Sequence, residues 1–279
     1  MSRRQEIALY AAIFLTIAAA FALIPMPGGD DWETFYGAAK RILSSEPLYG
    51  APVTHAYYSN PPWLALAFAP ISLLPFRWGL GLLAAGTLFT SLLLIRRYAP
   101  GGIKLALFLL SPPSIYILIH GQIDILMLAG VLLAREWWPL LALTKPQVAL
   151  GLLAGVPRAK WTRAGVIVGS AILGTMLLFG PWPLELLSQP TPFRWEGHNL
   201  WLGLWPFQAP LGVALLLLGI ERKDERFLFS ASPFFLPYAA VSSLIGPWLA
   251  ALSWLKGWQA GLIFLSWWGA VIYRSLGGL

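Results

Sequence analysis

Cysteine is absent from this chain of 279 residues, which excludes disulfide bonds and thiol chemistry. Charged residues are scarce: they make up 11% of the chain, against roughly 25% in soluble domains. No basic run suggests a nucleic acid partner, although the net charge is +7. No phosphate-binding loop, dinucleotide fingerprint, serine-hydrolase elbow or metal-ligand cluster is present, so the sequence predicts neither a cofactor nor a metal. With 58% hydrophobic residues, a soluble globular protein is excluded.

Apolar segments are what the chain has in abundance, and several approach the ~20 residues that cross a bilayer. Segments this apolar satisfy their backbone in lipid as helices. The sequence therefore predicts an all-α polytopic membrane protein, one domain over 1–279, with about ten transmembrane segments and a short surface piece at 247–255. The ten are 7–24, 62–76, 78–95, 103–119, 122–134, 137–156, 164–181, 201–220, 227–245 and 258–274.

The first segment also has features of a signal peptide, because Arg3 and Arg4 precede an apolar run that contains Ala20-Phe21-Ala22. The run continues past this site to Pro25, about 18 residues in all. That length favours an uncleaved first helix, and cleavage is the alternative.

Two intervals are too long and polar to be turns, 25–61 and 182–200, and six segments separate them. An even number of crossings places both on one face of the membrane. Most basic residues between segments fall on the opposite face, which the positive-inside rule makes cytoplasmic. The sequence thus predicts a multi-pass protein of the cell membrane whose two long loops face outward.

One basic cluster, Arg96, Arg97 and Lys104, lies outside if all six segments cross. It lies inside if the two shortest segments, 62–76 and 122–134, are re-entrant, and the parity of the long loops is then unchanged. Charge favours re-entrance, and both alternatives stay open at this point.

The first long loop contains a helix-like pattern from Asp31 to Leu43, which predicts a short helix lying in the membrane interface with its apolar face down. Its apolar positions fall within an arc of about 120°: they are Trp32, Phe35, Tyr36, Ala39, Ile42 and Leu43. Asp30 precedes Glu33 by three residues, the spacing of a capping box with Asp30 at the N-cap. Asp31 lies beside the apolar arc, where it would either interact favourably with the positive end of the helix dipole or act as a general base.

Two further polar groups interrupt apolar segments. Asp124 is the acid in the middle of such a segment, and with Gln122 it either lines a cleft or makes a structural hydrogen bond. Lys145 stands before Pro146, which breaks a helix. This cation either contacts a lipid phosphate or extends to the interface.

Several motifs together resemble glycosyltransferase family 87, the polyprenyl-phosphate-mannose-dependent mannosyltransferases of the GT-C superfamily. The resemblance covers roughly 7–205. The motifs are Asp31-Trp32-x-x-x-Tyr36-x-Ala38-Ala39, Glu46-Pro47-Leu48-Tyr49, Asn60-Pro61-Pro62-Trp63, Gly121-Gln122-x-Asp124, Lys145-Pro146-Gln147 and His198-Asn199. Asp124 stands where the family usually has Asn, Ser59-Asn60-Pro61-Pro62 replaces its usual Tyr-Pro-Pro, and the chain is shorter than typical members.

The resemblance implies a GT-C-like bundle and an inverting, metal-independent transfer on the outer face. It implies Asp31 as general base, with Asp30 as the second choice. The remaining residues would contact the substrates or the donor phosphate: they are Tyr36, Asn60, Gln122, Asp124, Lys145, Gln147, Arg194, His198 and Asn199. Of these, Arg194 and His198 would hold the leaving phosphate.

The sequence therefore predicts a membrane glycosyltransferase that moves a sugar, mannose by resemblance, from a polyprenyl phosphate to a hydroxyl of a lipid or glycan acceptor. Its partners would be that donor, that acceptor and the surrounding membrane lipids. The alternatives are a non-catalytic membrane subunit and a transporter of lipids or solutes. A transporter would favour inverted repeats, and the sequence has no recognisable repeat.

Overall fold

A computed structural model describes residues 3–24, 27–54, 56–189 and 199–276, and these residues form helices and connections without a strand. The short helices are joined by 3-10 turns, which cover Ala129–Leu132, Arg135–Trp137, Leu150–Gly155, Arg158–Lys160, Ser232–Phe234 and Val241–Leu244. The α-helices are α1 (Arg3–Leu23), α2 (Asp30–Leu43), α3 (Pro62–Ser72), α4 (Phe76–Tyr98), α5 (Gly102–Leu109), α6 (Pro112–His120), α7 (Asp124–Leu128), α8 (Trp138–Thr144), α9 (Pro146–Ala149), α10 (Trp161–Phe179), α11 (Trp182–Ser188), α12 (Ala209–Arg222), α13 (Glu225–Ala231), α14 (Ile245–Trp254) and α15 (Gly257–Ser275).

The protein is a helical one with membrane character, but the prediction of about ten transmembrane segments is wrong. Among the described residues, three helices are long and apolar enough to cross a membrane: Arg4–Leu23, Phe76–Tyr98 and Arg158–Phe179. A fourth crossing arises if α5 and α6, bent by 54° at their junction, form one span.

Three of the other apolar segments are interrupted by their own residues. Segment 122–134 is a five-residue helix followed by a 3-10 turn. Segment 137–156 breaks at Lys145, whose backbone leaves the helical region before Pro146. Segment 227–245 breaks before Pro233, where proline cannot continue the hydrogen-bonding pattern of a helix.

The chain divides into two compact units. Unit 1 comprises Met1–Phe89, Leu118–Gln122 and Val168–Pro190, and unit 2 comprises Thr90–Ile117, Ile123–Ile167 and Thr191–Leu279. The single domain expected from the sequence stays a prediction.

In unit 1, α1 packs antiparallel to the first part of α4. The rings of Tyr10 and Phe14 lie edge-on against Phe89, with centroids 5.9 and 6.1 Å away. Further along, Gly81 lies so close to Ala18 that a side-chain carbon at this position would come within 2.2 Å of the Ala18 carbonyl oxygen. The end of α1 therefore lies beside the start of α4.

Helix α2 is present in the first long loop, and the first part of its apolar face is buried within unit 1, whereas Leu43 at its end is 46% exposed. Trp32 and Phe35 are 0% and 4% exposed. Both pack against Phe68 of α3, with ring centroids 5.3 and 5.8 Å apart, and the Trp32 indole donates to the Phe76 carbonyl oxygen at 3.1 Å. The expected apolar face thus exists, but these two residues face α3 rather than lipid.

In unit 2, an apolar core surrounds Trp138, Phe108 and Phe229. Charged residues form a cluster at the end of α4. Arg97 donates to Glu225 at 2.6 Å, and Arg135 lies 3.8 Å from the same carboxylate. The end of α4 therefore lies beside the start of α13.

The basic residues before α10 extend the same charged end. Lys160 donates to Glu136 at 2.7 Å, and Glu136 adjoins Arg135 in the chain. If all segments crossed, Arg97 would lie on the face opposite to the other basic loops of the sequence. In the structure it is grouped with them. Whether segments 62–76 and 122–134 cross the membrane or are re-entrant stays a prediction.

Candidate functional site

The start of α2 holds the two adjacent carboxylates expected at the site. The N-cap is Gly29, in a left-handed conformation, and Asp30 is the first helical residue. The expectation that Asp30 caps the helix is therefore wrong. Its carboxylate Oδ1 instead lies 2.6 Å from Nδ1 of His120 at the end of α6. The Asp30 side chain is 46% exposed and the His120 side chain 24% exposed, so this pair faces solvent.

Close backbone contacts bring residues 119–122 against the start of α2. The Gly29 amide donates to the Ile119 carbonyl oxygen at 2.7 Å. A side-chain carbon on Gly28 would lie 2.3 Å from that oxygen, and one on Gly121 would lie 2.6 Å from Cβ of Trp32. Gly121 also has φ +68°, which favours glycine. Glycine at both positions therefore lets His120 and Gln122 approach the carboxylates of α2.

Asp31, the expected general base, is held by Gln122. The amide Nε2 of Gln122 donates to Asp31 Oδ2 at 2.6 Å. Gln122 is only 9% exposed, and Asp31 is half-buried. A short hydrogen bond from a buried amide to a carboxylate restricts the rotation of that carboxylate. Gln122 was expected to contact the donor; in this structure it orients Asp31.

An open cavity of about 390 Å³ adjoins these groups and is lined by Gly28, Gly29, Asp30, Glu33, Phe76 and His120. Its volume is in the range of small-molecule sites. Asp30, Asp31 and His120 offer ligand atoms within 4.8 Å of one another, a spacing that a divalent cation could bridge. The absence of a metal, expected from the sequence, stays a prediction.

Asp124 and Lys145, expected as a cleft acid and a phosphate-binding cation, form an ion pair in unit 2. Asp124 is fully buried, and Lys145 Nζ lies 2.9 Å from its Oδ2. No described residue gives the carboxylate a hydrogen bond of good geometry, so the ammonium is what compensates the buried charge. Lys145 does stand at the helix break expected from Pro146, between α8 and α9.

Two of the expected substrate residues lie in unit 1 and make structural contacts. The Tyr36 hydroxyl donates to the Leu74 carbonyl oxygen at 2.9 Å. The Asn60 carbonyl oxygen accepts a 2.7 Å hydrogen bond from Tyr49. Burial, and after it the Glu185 carboxylate, raises the pKa of Tyr49, so its hydroxyl stays protonated and remains a donor.

Two others lie in unit 2. The Asn199 amide donates to the Pro237 carbonyl oxygen at 3.0 Å, and its oxygen accepts from the Trp201 amide at 3.0 Å, so it joins two loop segments. Gln147 is half-buried at the start of α9. Arg194 and His198 lie outside the described residues.

His120 is the residue at this site that the sequence did not single out. It ends an apolar segment and has no neighbours in the chain that suggest metal ligation. The available signal was its adjacency to Gly121-Gln122, because residues on either side of a tight glycine turn can reach one surface. No family model, curated protein or solved structure matches this chain.

Proposed function

We propose that this protein is an integral membrane glycosyltransferase that moves a sugar from a polyprenyl-phosphate donor to a hydroxyl of a lipid or glycan acceptor. The sugar is mannose and the fold a GT-C-like bundle by resemblance alone. The main support from the geometry is the Asp31 carboxylate, which accepts a hydrogen bond from Gln122 at 2.6 Å. It lies within 4.8 Å of ligand atoms of Asp30 and His120, two residues that line the open cavity.

A base in this position suits the chemistry of sugar transfer. As the acceptor oxygen attacks C1 of the sugar, Asp31 takes the hydroxyl proton. The bond between C1 and the phosphate oxygen breaks, and the polyprenyl phosphate leaves with the electron pair. Attack from the face opposite the leaving group inverts the configuration at C1. Asp30 keeps the imidazole of His120 in place beside the same cavity. With Nδ1–H directed to Asp30, the other nitrogen of the neutral ring can accept a hydrogen bond from a hydroxyl.

The arrangement of α1 favours an outward-facing site. Arg4 lies in the first turn of α1, and Phe21, in its last turn, lines a cavity next to the site. At 1.5 Å per residue these residues are about 25 Å apart, close to the thickness of the hydrocarbon core. With Arg4 on the cytoplasmic side, as the positive-inside rule favours, this length supports the proposed outward-facing site in a multi-pass protein of the cell membrane.

Transfer of radiolabelled mannose from polyprenyl-phosphate-mannose tests this proposal, with purified protein, membrane lipid extract as acceptor, and EDTA. The variants are Asp31→Asn and, as a matched control, Glu6→Gln, which changes an exposed carboxylate in the first turn of α1. We expect label with the wild type and with Glu6→Gln, and a loss of about 100-fold or more with Asp31→Asn, the scale of general-base catalysis.

Equal labelling by Asp31→Asn would remove Asp31 from the mechanism and leave Asp30 as the base. Labelling that needs added Mn²⁺ would assign a metal to the cluster of Asp30, Asp31 and His120. Absence of transfer from both mannose and glucose donors, with folded protein, would overturn the proposal.

One observation favours the transporter alternative: the buried pair of Asp124 and Lys145 lies at a helix break, as binding sites of transporters often do. Proteoliposomes that move fluorescent lipid or solute without any sugar transfer, and that lose this movement with a Lys145→Met variant shown by size exclusion to be folded, would establish that function instead.

A further inference from the structure

Unit 1 contains a second cavity, of about 140 Å³, next to the candidate site. Its wall is largely apolar, and the one charged side chain that lines it is Arg77. It shares Gly28 and Phe76 with the cavity that Asp30 and His120 line. The lining residues are Phe21, Ile24, Pro27, Gly28, Phe76, Arg77, Leu80, Leu118 and Ile119.

Arg77 is an unusual residue for this position. It is exposed in the first turn of α4, a helix of 23 residues, where the positive end of the helix dipole disfavours a cation and favours an anion. Nothing in the ranges 3–24, 27–54, 56–189 and 199–276 gives it an ion pair or a side-chain hydrogen bond. It also lies at the face proposed to be outer, where the positive-inside rule predicts few arginines.

These features share one explanation, which is an anionic ligand with an apolar tail. A guanidinium binds a phosphate through two parallel hydrogen bonds. The apolar wall suits hydrocarbon, but 140 Å³ is below the volume of typical ligand pockets, so only the first part of a chain would enter.

We propose that Arg77 and this cavity bind the phosphate and the first carbons of a lipid phosphate, which is the sugar donor if the proposed function holds. Because the two cavities share Gly28 and Phe76, a sugar on that phosphate would enter the cavity beside Asp30 and His120. The donor phosphate is thereby assigned to Arg77 rather than to Lys145, whose charge is engaged by Asp124.

Titration calorimetry on the full chain in phosphatidylcholine nanodiscs tests this inference with three probes: farnesyl phosphate, farnesol and inorganic phosphate. The variants are Arg77→Gln, Arg77→Lys and Arg96→Gln, the last being a matched control because Arg96 is an exposed arginine near the other end of the same helix. Size-exclusion profiles check that each variant is folded.

We expect Arg77→Gln to weaken farnesyl phosphate about 10-fold to 100-fold, as loss of a charged hydrogen bond does. Arg77→Lys should fall between it and the wild type, because lysine lacks the planar fork. Arg96→Gln should bind like the wild type, and farnesol should bind equally to all variants.

Wild-type affinity of Arg77→Gln for farnesyl phosphate would overturn the inference, as would equal weakening by Arg96→Gln. Inorganic phosphate bound as tightly as farnesyl phosphate would show a site for a free anion and would overturn the lipid assignment. Arg77-dependent binding without sugar transfer would refute the proposed function but support this site. Transfer that does not depend on Arg77 would refute only this site.

Discussion

Replacing Gln122 by methionine separates two roles for this residue. Methionine keeps the length of the side chain and removes the amide that donates to Asp31 Oδ2 at 2.6 Å. Because Gln122 is 9% exposed, water replaces the lost donor poorly. A hydrogen bond to a charged group contributes about 1.5 to 3 kcal/mol. If Asp31 is the base, the transition state loses the same amount of stabilisation, because Asp31 is no longer held in its orientation.

We therefore expect kcat to fall about 10-fold to 100-fold in Gln122→Met, since each 1.36 kcal/mol changes a rate about tenfold. KM for the donor should change little. A residue that binds the donor equally in ground state and transition state would show the opposite pattern, a raised KM with kcat unchanged. Steady-state transfer at varied donor concentration distinguishes the two.

Gln208→Met is the matched control for this measurement. The Gln208 amide donates at 3.3 Å to the neutral Leu236 carbonyl oxygen, so the same chemical change removes no contact to a carboxylate. Its kcat should equal that of the wild type. A raised KM with normal kcat in Gln122→Met would refute the positioning role and restore the donor contact expected from the sequence. Unchanged kinetics would show that Asp31 does not depend on this hydrogen bond.

Two stability predictions concern unit 2. Lys145→Met leaves the fully buried Asp124 charge without its partner and should cost about 3 to 5 kcal/mol of unfolding free energy, whereas Asp124→Leu combined with Lys145→Met should be near neutral. Unfolding titrations in mixed micelles measure both variants. A loss below about 1 kcal/mol in Lys145→Met alone would contradict the pairing. The second prediction concerns Asp224. Burial raises its pKa, but hydrogen bonds from Arg226 outweigh burial and lower the pKa overall. The pair therefore stabilises the fold above about pH 4, and this contribution is lost as pH falls through the lowered pKa. Because solvent screens this partly exposed pair, Arg226→Gln should destabilise the fold at pH 7 by only about 0.5 to 1 kcal/mol and should flatten the stability loss below pH 4. An acid-unfolding curve parallel to that of the wild type would count against this.

The existence of α2 was predictable, because its apolar residues recur at helical spacing. The environment of that face was not predictable, since lipid and a protein core select the same apolar residues. Trp32 and Phe35 are buried against Phe68 of α3, a residue 33 positions further along than Phe35. No periodicity within α2 encodes that partner.

The number of crossings could not be read from apolar composition for a related reason. Hydropathy measures whether a segment prefers lipid to water, but it does not measure whether its backbone stays in one helix. Pro146 was recognised as a break, and the structure confirms it. The 54° bend between α5 and α6 and the 3-10 turn after α7 depend on packing as well as on local residues.

The candidate site shows where local reasoning about sequence ends. Asp30 and Asp31 were identified from the polar loop, and Gln122 from a short motif, but their contacts join residues about 90 positions apart. The pairing of 30 with 120 and of 31 with 122 depends on Gly121, which has φ +68° and lies against Trp32. Because the side chains on either side of Gly121 contact adjacent residues of α2, His120 and Gln122 belong to the site together. A glycine turn flanked by polar residues, at the end of an apolar segment, is therefore the local feature from which His120 could have been inferred.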